Sequence, residues 1–151
     1  MREVKLIRCK RIHISVTRRN DSGKAGHWWL EIGTPQSAAL ESYGWWPVPK
    51  VSYWNIFMGV PGILNDGLNL QIPPRDPHHG ETGDEEFCPL VDDVDSRSDS
   101  DIANCLRDFA MSYSGKWQWF FGWGRNCHTF QRAALAHCRL VVPGSIRKKK
   151  L

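Results

Sequence analysis

Cys127 is the residue whose surroundings best suit a nucleophile. It follows Asn126 and a loop carrying Gly122 and Gly124, and an amphipathic stretch begins behind it. Asparagine is a strong helix N-cap, so Cys127 falls in the first turn of the expected helix. Backbone N–H groups and the positive end of the helix dipole favour a thiolate there. The backbone N–H of Cys127 is also placed to hold the oxyanion that forms when a thiolate attacks a carbonyl. The competing reading is a buried structural thiol, because cysteines outside disulfides usually pack in cores.

A thiol nucleophile needs a base. His27 opens an extended run directly after Gly26. Its imidazole can take the thiol proton, and the imidazolium then stabilises the thiolate. A third polar group has to orient the ring. Glu41, on the next expected strand, is the first candidate, since cross-strand neighbours approach closely. Glu31 is the alternative, because His27, Trp29 and Glu31 share one strand face while Trp28 and Leu30 take the other. The plain alternatives are a packed histidine and solvated carboxylates. His128 adjoins Cys127 but projects about 100° round the helix, so it is expected to be exposed. His78, His79, Glu81 and Cys88 match no standard zinc spacing, and no metal or cofactor is expected.

These side chains need a scaffold. Alternation predicts strands over Val4–Thr17, His27–Ile32 and Ala38–Tyr43, joined by polar, glycine-bearing turns into an antiparallel meander. The stretch 55–98 reads as a long loop or lid, including the Pro73–Asp84 segment, with one short strand at Phe87–Val91. A helix begins near Asp99, capped by Ser98 or Ser100. Ile102, Cys105, Leu106, Phe109, Ala110 and Tyr113 form its apolar face. A second helix runs from Asn126 or Cys127 to about Cys138. The expected fold is a single α+β domain over 1–151, an antiparallel sheet packed against the helix that carries Cys127.

The chain has eight tryptophans, an unusual supply of large amphipathic rings for groove walls. Trp28, Trp29, Tyr43, Trp45, Trp117, Trp119 and Trp123 are the expected substrate-binding residues, with core packing as the alternative. The five cysteines are an odd number without a C-x-x-C pair. A disulfide scaffold is therefore not expected, and a reducing compartment for synthesis fits. Basic residues crowd both ends, from Lys5 to Arg19 and from Arg147 to Lys150, while acids gather between Asp76 and Asp101. With no nucleic-acid-binding motif present, these runs read as solvated faces, and no nucleic-acid partner is expected. No apolar run reaches the length of a membrane span, and the first residues lack a signal-peptide core.

Three strings then form a pattern: Gly26-His27-Trp28-Trp29-Leu30-Glu31-Ile32, Glu41-Ser42-Tyr43-Gly44, and Asn126-Cys127-His128-Thr129-Phe130. Their order, a strand histidine, a polar residue on a neighbouring strand, then a cysteine opening a late helix, resembles the circularly permuted papain-like hydrolases. That superfamily holds NlpC-type cell-wall peptidases and the lecithin:retinol acyltransferase group. The acyltransferase branch has Asn-Cys-Glu-His-Phe around its cysteine and a second histidine about a dozen residues after the first. Here His128 and Thr129 replace the middle pair, and Ala39 and Glu41 stand where the second histidine would be. The resemblance implies a cysteine hydrolase that cleaves an amide through an acyl-thioester, with peptidoglycan peptides as substrate. It also points to an antibacterial effector made in the cytoplasm, exported without a cleaved signal and accompanied by an immunity protein. The alternatives are a lipid-acting acyltransferase or phospholipase of the same superfamily, and a non-enzymatic binding module built on tryptophans.

Overall fold

The computed structural model of the chain describes residues 7–13, 26–33, 41–48, 52–70, 72–80, 85–87, 90–91, 97–119 and 124–141. Three strands form the expected meander: β1 (Ile7–His13), β2 (Gly26–Ile32) and β3 (Glu41–Pro47). The remaining residues of Val4–Thr17, and residues 38–40 of the third expected strand, lie outside the described ones. The span 55–98 is not one long loop. Helix α1 (Tyr53–Met58), strand β4 (Val60–Leu64) and an irregular 3-10 segment (Asn65–Leu70) come first. Strands β5 (Glu85–Phe87) and β6 (Leu90–Val91) follow, where a single strand was expected. Helix α2 (Asp99–Ser112), strand β7 (Lys116–Trp117), helix α3 (Cys127–His137) and strand β8 (Leu140–Val141) complete the order.

The architecture is α+β. A curled antiparallel sheet has the strand order β5-β1-β2-β3-β4-β7, and β6 and β8 pair separately. The sequence hid β4 because Pro61 and Gly62 interrupt its alternation. Yet its ladder with β3 pairs Trp46 with Ile63 and Trp45 with Leu64. Gly62 is required there, since a Cβ would stand 2.2 Å from the Trp45 ring.

The two faces of the sheet have different coverings. Trp28, Leu30, Ile32, Tyr43 and Trp45 belong to the core with Leu106 of α2 and Phe130, Ala134 and Leu135 of α3. The buried Gln131 side chain of α3 donates to the carbonyls of Trp28 and Tyr43, at 3.4 and 3.0 Å. It lies one turn beyond Cys127 on the same side of the helix, so α3 is tied to both central strands close to its start. His27, Trp29, Glu31, Ser42, Gly44 and Trp46 occupy the other face of β2 and β3, which the segment 72–80 covers.

Cys105 and Cys138 form a disulfide, contrary to the expectation from an odd, unpatterned cysteine set. They are 33 residues apart, and only the packing of α2 on α3 brings them together. Among the described residues, no helix is long and apolar enough to cross a membrane.

Candidate active site

Helix α3 starts where the capping residues require. Asn126 has extended backbone, and its Oδ1 accepts from the N–H groups of His128 and Thr129 at 3.0 and 3.2 Å. Thr129 closes the reciprocal half of the box, its Oγ1 accepting from the Asn126 N–H at 2.8 Å. Upstream, the chain returns on itself. Gln118 N–H donates to the Arg125 carbonyl at 2.7 Å, and Trp119 N–H donates to the Ile56 carbonyl at 3.1 Å. This return delivers Cys127 to the end of the sheet where β2 begins. Cys127 is buried and lies outside the disulfide.

His27 is fully buried. One ring nitrogen, Nε2, lies 3.0 Å from Asp76 Oδ2. The other, Nδ1, is buried without an ordinary hydrogen bond, and the Cys127 side chain acts on the ring through hydrogen bonding and charge. Burial alone pushes the imidazole pKa down. The Asp76 carboxylate, by charge and hydrogen bond, and then Cys127 outweigh it, and the pKa rises from 6.5 to about 9. Asp76 is 2% exposed. Burial pushes its pKa up, but the charge and hydrogen bond of His27, helped by Trp46 and the His78 N–H, bring it below the usual carboxylate value. The buried Asp76 carboxylate therefore favours the protonated form of His27.

Asp76 is fixed on every side. Trp46 Nε1 donates to its Oδ2 at 2.7 Å and His78 N–H to its Oδ1 at 2.9 Å. The Asp76 N–H donates to Ser42 Oγ at 2.8 Å, and Ser42 N–H donates to the Pro74 carbonyl at 3.1 Å. Ser42 Oγ also lies 2.9 Å from His79 Nδ1. The Trp46 ring packs on His27 with centroids 4.0 Å apart. Asn65, buried at the end of β4, accepts from the Gly44 N–H and donates to the Ser42 carbonyl. It thereby holds the strand that carries these groups.

Neither expected glutamate occupies the third position. Glu41 pairs with Ile32 in the β2–β3 register, five residues along β2 from His27. At about 3.3 Å per residue that is roughly 16 Å away, and Glu41 faces the core side. There it takes Arg107 Nε and Nη2 and the Tyr43 hydroxyl. Burial and the Glu41 carboxylate push the Tyr43 hydroxyl above its ordinary pKa. Glu31 does share the His27 face, but its Oε1 accepts from Trp29 Nε1 and the Gly80 N–H, both within 2.9 Å.

The aromatic expectations also change. Trp28, Tyr43, Trp45 and Trp117 are core residues, not cleft walls, because each sits on the strand face that α2 and α3 cover. Trp29 is fully buried on the opposite face, with His78 against it at 5.8 Å between ring centroids. Trp119 is half-buried and meets Phe57 edge-on. Trp123 lies outside the described residues, as do Glu81 and Cys88. His128 is buried with its ring against Trp28, not exposed. Asp76 and Trp46 are the site residues that sequence reasoning missed. The only signal was the setting of Asp76 in a polar turn, Pro73–Gly80, inside the stretch read as a lid.

The pair makes a direct prediction. Ring-nitrogen NMR should show His27 titrating near pH 9 in the wild type. In Asp76→Asn, burial persists without the compensating charge, so the titration should fall below pH 6.5. A His27 titration near 6.5 in both proteins would refute the pair. The linkage has a definite sign. A raised histidine pKa stabilises the fold fully below pH 6.5, and the contribution is lost as pH rises through about 9.

A thiol, an imidazole and an orienting carboxylate in this order provide a nucleophile, a proton carrier and the group that holds the carrier. No protein-family model, curated protein or solved structure matches the chain.

Proposed function

We propose that the chain is a cysteine hydrolase of permuted papain-like type that cleaves an amide bond, with peptidoglycan peptides as the substrate class. The observation that carries this reading is the convergence of Cys127, at a capped helix start, on a buried His27 whose far nitrogen is held by Asp76. In the reaction, the Cys127 Sγ–H proton passes to His27, and the thiolate attacks the carbonyl carbon to form a C–S bond. The tetrahedral oxyanion collapses, the C–N bond breaks, and the departing amine takes the His27 proton. Neutral His27 then accepts a proton from water as the water attacks the thioester. The acid is released, and the thiolate–imidazolium pair is restored. The backbone N–H of Cys127 is assigned to the oxyanion, since the N–H groups of His128 and Thr129 are used by the Asn126 cap.

The polar lining supports an amide over a lipid. Ser42, Asp76, His78 and His79 surround the His27 face, whereas Trp28, Trp45 and Trp117 are spent in the core. One observation favours the lipid alternative. Trp54 and Met58, one turn apart on α1, are 71% and 62% exposed, as a membrane-facing pair would be. A disulfide between Cys105 and Cys138 suits passage through an oxidising compartment. That supports delivery outside the producing cell.

Purified peptidoglycan and, separately, phospholipid vesicles should be incubated with the wild type and with Cys127→Ala. The expected result is release of muropeptides by the wild type alone. Cysteine-dependent release of fatty acid with muropeptides untouched would replace the amide reading with the lipid one. Binding without turnover on either would leave a binding module.

A further inference from the structure

The cap of α3 leaves one atom unaccounted for. Asn126 Oδ1 receives two backbone donors, from His128 and Thr129, which identifies the oxygen as the atom turned onto the helix. The planar amide must then point Nδ2 the other way. Nδ2 carries two N–H donors. It is buried, in a side chain with no exposed surface, and meets no acceptor among the described residues. Capping does not explain it. Serine or aspartate caps a helix as well as asparagine does without bringing a buried amide donor that needs a partner. This orphan belongs to the residue adjoining the nucleophile, whose Cα is about 3.8 Å away.

We propose that Asn126 Nδ2 donates to the substrate oxygen, making Asn126 a catalytic residue that shares the oxyanion with the Cys127 backbone. The inference rests on the hydrolase reading and adds a side-chain donor to it. As the Sγ–C bond forms, the carbonyl π pair moves onto oxygen, and Nδ2–H shortens its hydrogen bond to that oxygen. No proton changes hands there. The capped helix start holds the donor in place before the substrate arrives, so little reorganisation is needed when charge develops.

Asn126→Ser separates the two roles, because serine keeps the cap and removes the donor. Two probes are read on each protein: the acylation burst with p-nitrophenyl acetate, which passes through an oxyanion, and Cys127 alkylation by iodoacetamide, which does not. The expected result is a burst rate about 10²–10³-fold lower, with alkylation rate and urea midpoint near those of the wild type. An unchanged burst, or alkylation slowed as much as acylation, would overturn the proposal, the latter by showing that Asn126 acts only on the thiol. If Asn126→Ser does not fold, Asn126→Thr, which keeps a capping oxygen and loses the amide N–H donors without adding charge, takes its place with the same criteria. A wild-type burst that survives Cys127→Ala would refute the hydrolase reading itself, and this assignment with it.

Discussion

Replacing Asp76 with alanine should lower Cys127-dependent turnover by about 10²–10⁴-fold, the range over which a positioned acid–base group acts. The buried His27 ring would lose its charge partner and the acceptor 3.0 Å from Nε2. Burial would then keep the imidazole neutral and unfixed, unable to hold the thiolate or to protonate a leaving amine. Glu41→Ala is the informative contrast. It removes the acceptor of the buried Tyr43 hydroxyl and one partner of Arg107. The orphaned hydroxyl should cost about 1–3 kcal/mol of stability. The Arg107 side chain is 40% exposed, so its ion pair adds little once screened by solvent. Turnover per folded molecule should stay near the wild-type value. Steady-state kinetics and urea unfolding on both variants would check this. If Glu41→Ala lost activity as Asp76→Ala does while remaining folded, the assignment of the orienting group would be wrong.

Gly44→Ala should disable the same pair from the opposite side. A Cβ at Gly44 would lie 2.0 Å from Asp76 Oδ2 and 2.9 Å from His27 Nε2. Neither separation is tolerable, so the methyl must push the carboxylate away or shift β3. The carboxylate has little freedom to retreat, because Trp46, His78 and Ser42 hold the residue. Overpacking of this kind costs about 1–3 kcal/mol, and turnover should fall by an amount close to that of Asp76→Ala. The decisive measurement is the double variant. Once Asp76 is alanine, the carboxylate that Gly44→Ala would strike is gone, so the two losses of activity should not add. Full additivity would mean that Gly44 acts elsewhere than on the His27–Asp76 contact.

Local signals were enough to place Cys127 at a helix start and His27 at a strand start. Asn126 ahead of an amphipathic run marks a helix start, and α3 begins at Cys127. Gly26 ahead of an alternating run marks a strand start, and β2 begins there with His27 second. Ser98 or Ser100 marks a helix start near Asp99, and α2 begins there with Ser98 as its cap. Each depends on residues within one turn or a few strand positions, which a sequence displays directly.

The partner of His27 was a different kind of question. Asp76 is 49 residues away, in a turn whose own composition gives no periodicity, and it reaches the ring only because Ser42 and Trp46 of β3 fasten that turn to the sheet. Glu41 failed for the same reason. Whether a residue on a neighbouring strand faces a given side chain depends on register and pleat, and a change of one position reverses the face. The pairing of Ile32 with Glu41 sets Glu41 toward α2 and leaves Ser42, Gly44 and Trp46 beside His27. Burial of the tryptophans and closure of the Cys105–Cys138 disulfide likewise follow from which faces the helices cover. Residue type and local spacing thus determined where a nucleophile and a base could stand. Strand register and the docking of one turn, set by contacts distant in sequence, decided which carboxylate meets the base.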